Sequence, residues 1–178
     1  MTCFVGSLAS FPALRTHHGL GHRQQSLARQ VQISQRYQCD DLANINLGDY
    51  IRSLTSYLFN SYGVASHMVK LRINVDSAPL GLDRAIPCGL IINELVSNAL
   101  KYAFPSGRKG EILVDLLRHG DGRLVLTVKD NGIGLPDGMD VTDTPSLGLQ
   151  LVNTLVRQLD GTIEVGNSNG TEFRMVLS

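Results

Sequence analysis

Residues 91–104 read IINELVSNALKYAF, and this stretch decides the fold. Ala85, Gly89, Ile92, Val96, Ala99 and Ala103 recur at alternating spacings of four and three. That is one buried stripe of an α-helix. Glu94, Asn98 and Lys101 recur at the same spacing on the opposite face. An ordinary solvated face more often pairs Glu with Lys. An amide flanked by an acid and a base suits a metal-bound phosphate. Taken alone, the stretch reads equally well as a plain amphipathic helix, and the glycine-rich segments downstream decide between the two.

Outward from this helix the pattern is regular. The helix is expected over 84–104, capped by Asp83, with Pro87 in its first turn and a stop at Pro105-Ser106-Gly107. Upstream, 47–62 carries Tyr50, Ile51, Leu54 and Leu58 on one helical face, and Gly63 ends it. Residues 69–75 alternate Val69, Leu71, Ile73 and Val75, a half-buried strand. Downstream, 111–117 and 123–129 are strands around the turn His119-Gly120-Asp121-Gly122. Residues 130–147 are rich in Gly, Pro and Asp, too long and polar for an ordinary connection. A helix over 149–159 turns Leu149, Val152, Leu155, Val156 and Leu159 inward, and strands over 161–165 and 171–177 close the chain. This order predicts an α/β two-layer sandwich: a mixed, largely antiparallel sheet covered on one face by three helices.

The rest of the chain sets bounds. With 178 residues there is room for one domain with a core and a short appendage. A net charge of zero gives no electrostatic footprint for nucleic acid or an anionic membrane. No apolar run approaches the ~20 residues that span a bilayer. The start, MTCFVGSLASFPALR, lacks the basic end and long apolar run of a signal peptide, which predicts a cytoplasmic protein. Cys3, Cys39 and Cys88 are scattered and support neither a disulfide framework nor a zinc site. Residues 1–39 contain no Asp, Glu or Lys, and their apolar periodicity is poor until a short helical pattern at 27–33. An irregular or weakly helical segment is expected there, ahead of a domain over 40–178. His17 and His18 read as exposed histidines in that segment rather than as a phosphoacceptor or a metal ligand.

Three segments carry chemistry. Asp130-Asn131-Gly132-Ile133-Gly134 follows directly on a strand. A carboxylate held at a strand end can accept a hydrogen bond from an exocyclic amine such as that of adenine. Gly132 and Gly134 permit a sharp turn and close approach of a ligand. Ser146-Leu147-Gly148-Leu149-Gln150 opens a helix, where free N–H groups suit phosphates. Between the two, 135–145 carries Asp137, Asp140 and Asp143 and can close over a ligand. Thr171, after Gly170, can place a hydroxyl against the same ligand or serve as a plain strand residue.

NELVSNALKY, DNGIGLP, SLGLQLV and the terminal GTEF, in this order, resemble the ATP-binding domain of sensor histidine kinases, in the superfamily of gyrase, MutL and the ninety-kilodalton heat-shock chaperone. The resemblance covers about residues 40–178. LGLQLV, the short lid and DDLANINLGDYIRSLTSYLF look most like the second class of these kinases, in which a two-helix dimerisation module lies upstream. Ser146 and Gln150, standing where the commonest kinases have glycines, fit that class. The resemblance implies Mg²⁺ and ATP as cofactor and substrate. It implies Asn98 as the magnesium ligand, Lys101 on a phosphate oxygen, and Tyr102 near adenine or ribose. Asp130 would take the adenine amine, with Gly132 and Gly134 as the first hinge of the lid. Gly148 and Leu149 would cradle phosphate, and Thr171 would assist adenine recognition through water. Glu94 stands where gyrase-like ATPases carry a general base and many histidine kinases an asparagine.

The implied function is transfer of the γ-phosphoryl of ATP to a histidine, on this chain or another. The implied partners are a histidine-bearing dimerisation domain and a response regulator, and a homodimer is compatible. RTHHGLGHRQ does not read as a phosphoacceptor helix, because Gly19 and Gly21 would weaken it by about 1 kcal/mol each. Residues 1–39 therefore read as a remnant or replacement of the dimerisation module, which speaks against self-phosphorylation. The alternatives are an anti-sigma-type serine kinase on the same ATP site, and a nucleotide-binding interaction module without phosphotransfer.

Overall fold

The computed structural model describes residues 47–64, 67–76, 80–136 and 146–178. The expected segment 1–39 with His17, His18 and His22, and Asp137, Asp140 and Asp143, lie outside the described residues. Helix α1 (Leu47–Ser61) ends where the periodicity predicts. Val64 N–H donates to Phe59 C=O at 3.2 Å and Gly63, at φ 62°, donates to Asn60 C=O at 3.2 Å. This pairing satisfies carbonyls that the helix end would otherwise orphan, and it needs a left-handed residue. Strand β1 (Val69–Val75) matches its expected bounds.

Helix α2 (Leu82–Asn98) corrects three expectations. Its N-cap is Gly81, with extended backbone and no side-chain cap, not Asp83. Asp83 instead lies in the first turn, where its charge favours the helix dipole. Pro87 sits inside the helix rather than in its first turn, leaving the Asp83 carbonyl without an N–H four residues on. The α-helix also stops at Asn98, and residues Ala99–Ala103 form a π-helical turn. Insertion of a wider turn is a local change of geometry that leaves no mark in apolar spacing.

Strands β2 (Gly110–Arg118) and β3 (Leu124–Asp130) form the expected hairpin. Helix α3 (Leu147–Gln158) starts two residues earlier than the periodicity predicts, and strands β4 (Thr162–Gly166) and β5 (Glu172–Leu177) follow. The sheet order is β1-β2-β3-β5-β4. Among the described residues, only β1 and β2 pair in parallel, joined through α2, and the other pairs are antiparallel.

Alternation dictates which face is buried. Val114, Val128 and Phe173 form one row across β2, β3 and β5; Leu116, Leu126 and Met175 form the next. All six are buried. Against them α2 and the π turn lay the stripe Ala85, Gly89, Ile92, Val96, Ala99 and Ala103, also buried. Helix α2 contacts both α1 and α3. Gly89 lets α1 approach, since a side chain there would meet the Tyr50 ring at 2.6 Å. Cys88 is a core residue, and burial pushes its thiol up to about 12. The outer face carries the pairs Lys129–Glu172 at 2.7 Å and Arg174–Glu164 at 3.5 Å. Exposed pairs of this kind contribute little stability. Among the described residues, no helix is long and apolar enough to cross a membrane.

Candidate functional site

The second half of α2, the end of β3, the start of β5 and the start of α3 enclose a cavity of about 580 Å³. That is an ordinary size for a small-molecule pocket. Asn98, Tyr102, Asp130, Gly134, Leu149 and Thr171, all singled out from sequence, line it together. Its apolar surface includes Leu95, Val128 and Phe173, which sequence reasoning missed. Their strand and helix periodicity signals burial, and burial against a cavity looks the same as burial against protein.

Asp130 is the last residue of β3 and is only 6% exposed. Its Oδ1 accepts from Gly132 N–H at 2.9 Å and from Thr171 N–H at 3.3 Å. Its own N–H donates to Thr171 C=O at 2.9 Å. Both side-chain bonds fall on Oδ1, and no donor among the described residues reaches Oδ2. A buried carboxylate oxygen without a donor is costly unless a ligand supplies one. An amine of a bound base is such a donor. Gly170, at φ 87°, makes the turn that brings Thr171 here, and its Cα passes so close that a side chain would collide with the Asp130 carbonyl.

Gly132 does not line the cavity. A side chain there would collide with the side chain and carbonyl of Ala103, and Ile133 N–H donates to that carbonyl at 3.0 Å. The π turn after α2 is thus fastened to the loop after β3. Asn131 braces the same loop from the other side, its Oδ1 accepting from Glu111 N–H at 2.8 Å.

Gly148 also lies off the cavity wall. A side chain there would come within 2.5 Å of Glu94 Oε2. The Glu94 carboxylate therefore rests against the first turn of α3, where unpaired N–H groups favour an anion. Ser146, the N-cap of α3, also lines the cavity.

Lys101 is not among the residues that line the cavity. It lies in the π turn, and its Nζ stands 5.4 Å from the centre of the Tyr62 ring. Tyr102, 64% exposed, instead borders the cavity mouth.

Magnesium needs oxygen ligands and is held by few protein groups plus phosphates and water. Asn98 on the cavity wall and Glu94 one turn before it offer an amide oxygen and a carboxylate. No group of three or more His, Cys, Asp or Glu converges among the described residues. This donor set fits a magnesium ion carried on phosphates.

The family model described as "Histidine kinase-, DNA gyrase B-, and HSP90-like ATPase" matches residues 84–178. The chain belongs to this family. Among curated proteins, this ATPase domain is 29% identical over 154 residues to "Blue-light-activated histidine kinase 2" of Erythrobacter litoralis, covering 83% of this chain and 44% of that protein. It is 40% identical over 104 residues to "Sensor histidine kinase PdtaS" of Mycobacterium tuberculosis, covering 56% of this chain and 21% of that protein. The chain therefore spans less than half the length of these curated relatives. The solved histidine kinase domain of the Erythrobacter litoralis EL346 blue-light activated histidine kinase shares the fold. The TM-score is 0.75 at 24% identity, over 91% of this chain and 75% of that one. The expected sandwich is thus the fold of histidine kinase ATPase domains, and the chain is an ATP-binding domain of the sensor histidine kinase type.

Proposed function

We propose that residues 40–178 are the catalytic domain of a two-component kinase that moves the γ-phosphoryl of Mg-ATP to a histidine on a dimerisation helix. The observation that carries this reading is the buried Asp130, whose Oδ2 meets no donor among the described residues, in a cavity shared with Asn98 and Thr171. The adenine amine would donate to Oδ2, and Thr171 would hold a water against the base. Tyr102 would cover base or ribose from the cavity mouth. Asn98 would direct its amide oxygen to magnesium. Bound magnesium would neutralise charge on the transferring phosphoryl group. Gly148 and Leu149 would offer the first N–H groups of α3 to phosphate oxygens. Gly132 and Gly134 would set the path of the loop as it leaves the site.

A histidine nitrogen would attack the γ-phosphorus with its lone pair. The bond to the β,γ-bridging oxygen would break, ADP would leave, and the imidazole would release a proton. Glu94, at the phosphate end beside α3, would take that proton. A solved neighbour, "Crystal structure of ShkA full-length in complex with AMPPNP", is similar at a TM-score of 0.60 and 20% identity. Its bound nucleotide analogue is the kind of ligand proposed here. The partners on this reading are a histidine-bearing dimerisation domain and a response regulator, in the cytoplasm.

The test is incubation with Mg²⁺ and γ-labelled ATP, with and without a histidine-bearing partner, scoring acid-labile label. Thermal shift in the same samples reads binding. Nucleotide at ~100 times its dissociation constant stabilises the fold by ~2.7 kcal/mol. Glu94→Gln should cut label transfer by ~10²–10⁴ while sparing ATP affinity. Acid-stable label would point to a serine acceptor, and absence of stabilisation by any adenine nucleotide would overturn the site.

A further inference from the structure

We propose that Asn167 is a positioning residue of the nucleotide cavity, clamping Leu135 so that one wall of the site is formed before ligand arrives. This inference rests on the nucleotide reading above. Asn167 lies in the turn between β4 and β5, 32 residues after Leu135. Its Oδ1 accepts from Leu135 N–H at 2.7 Å, and its Nδ2 donates to Leu135 C=O at 3.0 Å. One side-chain amide thus pairs both backbone groups of one residue, as a neighbouring strand would. Neither partner can be replaced by a group with only donors or only acceptors.

The clamp is placed where it matters. Ile133, Gly134, Leu135 and Pro136 all line the cavity. At their start, Ile133 N–H is held by the Ala103 carbonyl at 3.0 Å. Beyond that point the backbone pairs with nothing else among the described residues except Asn167. Gly134 makes room for the clamp, since a side chain there would collide with Asn167 Oδ1. The wall is therefore tied at one end to the π turn after α2 and at the other to the β4–β5 turn. A wall fixed in advance spares the ligand the ordering entropy of that segment.

Ile133, Leu135 and Pro136 bring apolar side chains to the cavity that Asp130 also lines, so the wall serves the base rather than the phosphates. Asn167→Ala should weaken AMP and ATP by the same factor, about tenfold, or 1.4 kcal/mol. The melting temperature without nucleotide should change little, because both bonds are exposed. Ser168→Ala, in the same turn, is the control and should bind both nucleotides as the parent does.

The experiment is calorimetric titration of the three proteins with AMP and Mg-ATP. It is paired with hydrogen exchange at the Leu135 amide in the parent protein without nucleotide. Slow exchange there, lost in Asn167→Ala together with affinity, is the expected result. Unchanged affinity in Asn167→Ala, a loss confined to ATP, or an affinity loss matched by a collapse in melting temperature would overturn the clamp. Exchange at the Leu135 amide as fast as an unstructured chain would overturn it without any variant. Failure of the parent protein to bind either nucleotide would refute the site reading instead.

Discussion

Asp130→Asn separates recognition of the base from integrity of the site. The two donors on Oδ1, Gly132 N–H at 2.9 Å and Thr171 N–H at 3.3 Å, fix how the new amide must orient. Its oxygen has to stay with them, so its NH₂ group replaces Oδ2. The adenine amine then meets a donor where it had a carboxylate oxygen as acceptor. A hydrogen bond to a charged group contributes about 1.5–3 kcal/mol, so ATP should bind about 10- to 150-fold more weakly. A base with a carbonyl at the same position gains what adenine loses. Preference for ATP over ITP should therefore narrow or invert. Because both Oδ1 bonds survive, the melting temperature without ligand should hold within a few degrees. Calorimetric titration of parent and variant with ATP and ITP, beside thermal unfolding, reads all three quantities. Parent-like ATP affinity in the variant would remove Asp130 from base recognition. An unfolded or strongly destabilised variant would make Asp130 a strut of the loop rather than a ligand group.

Two further perturbations test the flanks of the site and its core. Tyr62→Leu should tighten ATP by about two- to fivefold and leave AMP unchanged, because an exposed cation–π contact of about 0.5–1 kcal/mol no longer competes for Lys101. Lys101→Met should erase that difference, and an equal effect on AMP would show that Tyr62 acts otherwise. Cys88 has an ordinary value of 9.0 and a folded value of about 12, so above pH 9 the unfolded chain releases a proton that the folded chain keeps. Stability should then fall with rising pH by up to about 1.4 kcal/mol per unit over that window. Urea unfolding between pH 8 and 11 should show this slope reduced in Cys88→Ala, and identical slopes would place the thiol's burial in doubt.

The apolar spacing was enough to place α1 and β1, because burial of one face is a local constraint written in every turn or alternate residue. It placed α2 correctly on the sheet but not its ends. Leu80 is already buried, so the chain joins the core before the helix begins, and Gly81 rather than Asp83 stands at the cap. The π turn at Ala99–Ala103 is illegible in the sequence, since the stripe is kept while the geometry changes. Glycines posed a different difficulty. Gly132 and Gly148 signal close approach of the backbone to something, without saying to what. In both cases it is protein, Ala103 and the Glu94 carboxylate. Asn167 went unread because an asparagine beside a glycine in a hairpin already has a sufficient reason in the turn itself.

These misreadings share a physical origin, which also explains how the site holds its shape. Its floor is joined by main-chain pairs as well as by the Asp130 side chain: Ile133 N–H to the Ala103 carbonyl, and Asp130 N–H to the Thr171 carbonyl. Main-chain groups are present in every residue, so their pairing leaves no signature in residue type except at the glycines that make room for it. Three segments far apart in sequence thereby become one frame, with each bond contributing about 0.5–1.5 kcal/mol net. Side-chain changes such as Asp130→Asn should alter what the frame prefers without dismantling it. A methyl group at Gly132 should do the reverse. It presses on Ala103 at the junction of α2 with the loop, costs about 1–3 kcal/mol through overpacking, and disturbs binding of every ligand alike.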